Sequence, residues 1–162
     1  MSDNVYLGNP NLKKANTPIE FTEEQIIEFV QCQRDPVYFA NKYVKIVSLD
    51  EGLVSFKPYR FQEKLINNFH ENRFNICKMP RQTGKSTTVV SYLLHYAIFN
   101  DSVNIGILAN KAATARELLG RLQTAYENLP KWMQQGIMVW NKGSLELENG
   151  SKILAASTSA SA

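Results

Sequence analysis

Cys77-Lys78-Met79-Pro80-Arg81-Gln82-Thr83-Gly84-Lys85-Ser86-Thr87 stands between two apolar stretches. Phe74–Cys77 enters it and reads as a strand, and Ser86–Phe99 leaves it and reads as a long helix. Strand, loop, Gly-Lys-Ser and helix in that order form the layout of a P-loop. There, loop amides wrap phosphates, the Lys reaches the terminal phosphates and the Ser hydroxyl holds Mg²⁺. The helix N-terminus adds free amides and the positive end of its dipole. Lys85 and Ser86 are therefore candidate phosphate and Mg²⁺ residues, with Gln82, Thr83, Gly84 and Thr87 around them. The general pattern carries a glycine five positions before Gly84; this chain has Met79 there, and the next residue, Pro80, has no N–H to offer. Gly-Lys-Ser by itself is a weak signal, and the flanking strand and helix are what strengthen it.

Upstream of the loop, Pro58-Tyr59-Arg60-Phe61-Gln62 opens a helix with Phe61, Leu65, Ile66 and Phe69 on one face. A Gln amide carries both an acceptor and donors, so Gln62 can read adenine N6 and N7 while aromatic neighbours offer a stacking face. The plain alternative is an exposed helix glutamine. Before it, residues 21–58 read as a small helical platform with a hairpin. Thr22 and Gln25 form a capping box, Phe21 is placed to staple onto Ile26, and Ile26, Ile27 and Val30 form the expected buried stripe of a helix ending near Arg34. Asp35-Pro36 starts a second helix. Val44–Leu49 and Leu53–Phe56, around Asp50-Glu51-Gly52, predict a hairpin. Residues 1–20 are polar and read as an extended or mobile arm.

Downstream, Val103–Ala109 reads as a buried strand with Ile105, Ile107 and Leu108 in the core. The clearest helical period follows: Ala115, Leu118, Leu119, Leu122, Ala125, Tyr126 and Leu129, with Arg116, Glu117, Arg121 and Glu127 on a solvated face. Trp132 to Trp140 is a loose apolar segment. Leu145–Glu148, Asn149-Gly150 and Lys152–Ala156 predict a second hairpin with a favoured turn pair. Ser157–Ala162 is small and featureless.

The chain has 162 residues and a formal net charge of +3, enough for one domain or a piece of a larger protein. A slightly basic balance permits a nucleic-acid partner without demanding one. Cys32 and Cys77 have no Cys or His at metal-binding spacings and read as two reduced core thiols. Neither a signal peptide nor a membrane-length apolar run is present in the sequence, so a soluble, intracellular protein is expected.

A hydrolytic P-loop ATPase also needs an apolar strand ending in an acid that orders the Mg²⁺ shell. Val103–Ala109 ends in Asn110, Glu146 and Glu148 alternate in a hairpin, and Glu117 and Glu127 lie on a helix. The phosphate-binding half is expected without the hydrolytic half.

Arg81-Gln82-Thr83-Gly84-Lys85-Ser86, without the first glycine, resembles the variant P-loop of the large terminase subunit of tailed bacteriophages. Leu7-Gly8-Asn9-Pro10-Asn11-Leu12-Lys13 and Asp35-Pro36-Val37-Tyr38-Phe39-Ala40 are similar to the upstream part of the T-even-type proteins. Ile105-Gly106-Ile107-Leu108-Ala109-Asn110-Lys111 and the stretch from Trp140 to Ser151 are similar to the downstream part. The resemblance implies a RecA-like α/β P-loop NTPase: an incomplete parallel sheet flanked by helices, residues 59–162, behind the N-terminal platform. It implies ATP and Mg²⁺ as cofactors. It also implies double-stranded DNA, the procapsid portal protein and the small terminase subunit as partners, a homo-oligomeric ring when complete, and a place in the host cytoplasm. Gln62 would read adenine with Phe61 beside it, and Arg81 would act on the γ-phosphate. A whole large subunit would continue into the acidic strand and a nuclease, so this chain is expected to be the amino-terminal part, marginal alone or completed by another polypeptide. Two other readings stay open: a helicase-type ATPase, and a non-catalytic fragment that binds nucleotide or a partner.

Overall fold

The computed structural model describes residues 4–48 and 50–158. Met1–Asp3, Leu49 and 159–162 lie outside the described residues, and with them the start of the expected arm, the end of the first hairpin strand and most of the small-residue ending. Five α-helices and six strands follow a short 3-10 turn at Tyr6–Gly8: α1 (Glu23–Arg34), α2 (Pro36–Tyr43), β1 (Lys45–Ser48), β2 (Gly52–Ser55), α3 (Arg60–Glu71), α4 (Lys85–Phe99), β3 (Asn104–Ala109), α5 (Ala112–Glu127), β4 (Ile137–Trp140), β5 (Ser144–Leu147) and β6 (Lys152–Ser157).

Local signals act where they were read. The Thr22 hydroxyl accepts from the Gln25 N–H while the Gln25 side chain accepts from the Thr22 N–H, closing the capping box of α1. The Asp35 carboxylate accepts from the N–H groups of Val37 and Tyr38, and Pro36 sits in the first turn of α2. Ala115, Leu119, Leu122, Ala125 and Tyr126 form the buried stripe of α5. β1 and β2 pair antiparallel as a separate hairpin.

The main sheet has the order β3-β6-β5-β4. Only β3 and β6 pair in parallel, while β6–β5 and β5–β4 are antiparallel. The architecture is α/β with a mixed sheet, which corrects the expected parallel one. The cause is local: Leu147 and Ser151 are joined by a tight turn, so β6 must return alongside β5. That turn holds three residues, Glu148 to Gly150, with Gly150 left-handed (φ 82°), where a two-residue Asn-Gly pair was expected. β4 lies within the segment read as loose.

Asn149 explains why the turn is placed where it is. The last carbonyls of α4 have no partners within the helix. Asn149 Nδ2 donates to Ala97 O (2.9 Å) and Asn100 O (3.1 Å), Gln135 Nε2 to Ile98 O (3.1 Å), and the Ser151 hydroxyl to Asn100 O (2.8 Å). The C-terminal end of α4 is thus capped from the sheet.

One contiguous core runs from Leu12 through Phe39, Ile66, Leu94 and Leu122 to Ile153, crossing the boundary expected near residue 58. Phe29 and Phe39 meet Phe99 edge-on at centroid distances of 4.9 and 5.5 Å, seating α1 and α2 on α4.

Four expectations are overturned. First, residues 4–16 are docked: Leu12 is 1% exposed, and Lys13 bridges backbone-to-backbone with Ile137. Second, Ile26, Ile27 and Val30 face outward, with Ile27 72% exposed. The inner face of α1 is chosen instead by Cys32, Phe29 and the Glu28 carboxylate, which accepts from Tyr43 OH (2.9 Å) and Tyr38 OH (3.1 Å) and pairs with Lys42 (2.7 Å). Phe21 meets Phe29 edge-on at a centroid distance of 6.3 Å. Third, Leu108 is exposed on β3, because the helices cover one face of the sheet and its register turns Leu108 to the other. Fourth, Phe74–Cys77 forms no strand: residues 74–80 carry no secondary structure, Ile76 is 99% exposed and Cys77 is exposed rather than a core thiol. No described strand lies alongside to pair with it.

Candidate functional site

The loop between residue 80 and α4 turns with two left-handed residues, Gln82 (φ 59°) and Gly84 (φ 73°). Gly84 is the N-cap of α4. Such a conformation costs a side-chain-bearing residue about 1 kcal/mol and glycine almost nothing. With Met79 and Pro80 in place of a more flexible pair, the curvature falls on Gln82 and Gly84. Inside α4 the Thr88 hydroxyl, fully buried, donates to Gly84 O (2.9 Å), tying the cap to the second turn. The first turn of α4 contains no acidic residue, so its free N–H groups and dipole face no competing anion of their own helix.

Lys85 lies across the loop. Its ammonium donates to Met79 O (3.1 Å) and to Pro80 O. The Thr83 hydroxyl also donates to Pro80 O (3.1 Å). Carbonyls of the loop thus hold the ammonium that the motif offers to phosphate. Arg81 is exposed on the loop and makes no ion pair with a described residue.

A cleft of about 500 Å³ runs from the loop to the start of α3 and the first hairpin. The loop end holds Gln82, Thr83, Gly84 and Thr87, and the other end holds Tyr59, Phe61 and Ile46. The rings of Tyr59 and Phe61 stack at 5.9 Å with an interplanar angle of 8°. Gln62 lies between the two ends. It is 4% exposed, so it is no ordinary surface glutamine. Its Oε1 accepts from the Tyr59 N–H (2.9 Å) and its Nε2 donates to Thr83 O (3.4 Å). The volume lies within the usual range for small-molecule sites, with polar groups at one end and aromatic faces at the other.

Phe61, Gln62, Gln82, Thr83, Gly84 and Thr87 therefore share one cleft. Lys85 and Ser86 do not line it. Both border a smaller cavity of about 160 Å³ closed by Val89, Leu93, Ile107 and Leu118, and Ser86 is exposed. Sequence reasoning missed Ile46, Ser55 and Lys57, which reach the cleft from the hairpin and its exit. Nothing local marks them, whereas Tyr59 could have been found from its place beside Phe61. For Mg²⁺, which takes one or two protein oxygens together with phosphates and waters, the Ser86 hydroxyl is a suitable donor. Among the described residues no cluster of three acidic, His or Cys side chains could hold a metal. No described helix is long and apolar enough to cross a membrane.

The family model described as terminase large subunit, T4likevirus-type, N-terminal, matches residues 76–162. The match spans more than half of the chain. It contains the loop, α4, α5 and the main sheet, while Tyr59, Phe61 and Gln62 lie just before it.

Proposed function

From the premise that this chain belongs to the N-terminal, T4-like family of terminase large subunits, which package phage DNA, we propose that it is the ATP-binding part of the packaging motor. The observation that carries the reading is the cleft itself. A curled loop, Gln82 to Gly84, at a helix N-terminus and a stacked aromatic pair sit at opposite ends of one space, with buried Gln62 between them.

In this reading the triphosphate lies along the first turn of α4. Its oxygens accept from the free N–H groups there, and the Lys85 ammonium leaves Met79 O and Pro80 O for them, trading neutral acceptors for charged ones. The base stacks on Tyr59 and Phe61, with the Gln62 amide at its edge. Mg²⁺ held by Ser86 would neutralise phosphate charge. Arg81 places a planar donor fork where charge builds on the γ-phosphate, a role that can supply a factor of about 10³ to 10⁵ in rate. As in the motor reading generally, double-stranded DNA, the portal and the small subunit are the proposed partners, and a ring of copies the working form.

Titrating ATP into the 162-residue chain tests this. Binding should be present in the wild type and lost in Lys85→Ala; equal binding in both rejects the reading.

A second reading has its own support. Among the described residues, segment 74–80 has no pairing partner and no strand pairs with the outer edge of β3, beside half-covered Val89 and Leu93 of α4. A chain in this form is a nucleotide-binding fragment that hydrolyses nothing until another strand supplies the acid. ATP turnover by the purified chain, abolished by Lys85→Ala, would exclude it.

A further inference from the structure

We infer that Gln62 is a positioning residue for the phosphate loop, in addition to lying beside the base. The inference rests on the nucleotide reading above and deepens it. Gln62 is the third residue of α3. Its backbone N–H donates to Tyr59 O (2.7 Å) and its Oε1 accepts from the Tyr59 N–H (2.9 Å), so the oxygen end of the carboxamide is locked to the helix start. The Nε2 end points the other way, to Thr83 O at 3.4 Å. It also stands where a Cβ on Gly84 would intrude, far inside van der Waals contact.

The loop has little else to rest on. Residues 74–80 have no sheet partner among the described residues. The Thr83 hydroxyl and the Lys85 ammonium both turn back to the loop's own carbonyls. Among hydrogen bonds between described residues, Gln62 to Thr83 is the one that joins residues 77–84 to anything beyond the loop and α4. A buried amide fixed at one end is a rigid support. Nε2 carries a second hydrogen, so the same side chain can meet a base while it holds the loop. Base contact and loop shape are then set by one group.

The test uses two probes on the whole chain: ATP and inorganic tripolyphosphate, which has no base. A residue that only reads the base affects ATP and leaves tripolyphosphate alone. A residue that positions the loop affects both. Gln62→Met should weaken tripolyphosphate binding about fivefold or more, the loss expected from one hydrogen bond, and ATP binding at least as much. Tyr59→Ala should weaken ATP alone. A purely structural role would lower the melting temperature without changing tripolyphosphate affinity in the folded protein. If Gln62→Met does not fold, Gln62→Asn carries the same test, because its shorter amide cannot span from Tyr59 to Thr83. Unchanged tripolyphosphate affinity in the folded variant overturns the inference while the nucleotide reading stands. A wild type that binds neither probe removes both.

Discussion

Gly136 passes so close beneath Ala15 that a Cβ on Gly136 would lie 2.5 Å from the Ala15 Cα and 2.8 Å from its N. The N-terminal segment is thus strapped across the start of β4. Gln134, itself buried, accepts from the Lys13 N–H (3.0 Å) and donates to Asn11 O and Leu129 O (3.0 Å each). Glu148 accepts from the Lys13 ammonium (2.7 Å) and the Asn16 N–H (2.8 Å). Residues more than a hundred positions apart are joined by one polar network, and the strap covers part of an edge strand that would otherwise be open to foreign pairing.

Gly136→Ala should therefore release the strap. The Ala15 backbone cannot rotate away, and the Glu148 carboxylate, 2.5 Å from the same Cβ, would have to move as well. The expected cost is about 2 kcal/mol or more by denaturant unfolding, in the range of overpacked core sites, with faster proteolytic cleavage within residues 4–16. Wild-type cleavage in the variant would show that the strap tolerates the methyl group.

Removing the Lys13 partner should be felt in the acid range. Partial burial pushes the Glu148 carboxyl upward, but hydrogen bonds from Lys13, Gly136 and Asn16 outweigh it and hold the group below its ordinary value of 4.5. A lowered folded value means that stability is present above about pH 4.5 and fades as pH falls through the folded value. Lys13→Met should cost roughly 1–3 kcal/mol at neutral pH. It should also flatten the loss of stability below pH 4.5. An unchanged pH profile in the variant would reject the pairing as the cause.

His95 predicts a second, higher acid window. Burial pushes its imidazole down to about 4 from 6.5, and Nε2 lies 2.9 Å from Cys32 O. The ring is therefore neutral, with Nε2 protonated toward that carbonyl, and among the described residues Nδ1 has no hydrogen-bond partner. An unfolded chain takes up the proton from pH 6.5 downward while the folded one refuses it until about pH 4. Stability should fall across that interval by roughly 3 kcal/mol. Melting curves between pH 4 and 7 check this. His95→Phe should be less stable at pH 7, through the orphaned Cys32 carbonyl, yet lose less as pH falls.

Gly84→Ala should fail for two reasons that can be separated. The left-handed backbone strains any side chain, and the Gln62 amide occupies the space of the Cβ. Adding Gln62→Ala should remove the steric part only. The double variant should recover some stability relative to Gly84→Ala, by more than about 0.5 kcal/mol in a double-mutant cycle. Strict additivity would mean that Gln62 does not press on the loop.

The uncovered apolar residues carry the last expectation. Phe74 and Ile76 stand in the unpaired segment, and Leu108 and Leu154 share the open face of the sheet. Ile76→Ser should leave stability within about 0.5 kcal/mol, since it removes no buried contact. Self-association at high concentration, followed by light scattering, should decrease.

Where helices start and which stripe α5 buries were legible from order alone. A capping box, an Asp-Pro start, and apolar residues three and four apart act within a few residues of themselves, so neighbours in sequence suffice. The candidate loop was legible for the same reason, because Gly84-Lys85-Ser86 and the helix behind it are contiguous. Tertiary structure decided everything that depends on what lies opposite. It put Gln62 inside rather than on the surface, drew Ile46 and Lys57 to the cleft, and turned Ile27 outward because the Glu28 network claimed the inner face of α1. It also made the sheet mixed and left Phe74–Cys77 unpaired. An apolar run records that a segment can be covered or paired; whether it is depends on partners tens of residues away, whose approach no local pattern encodes.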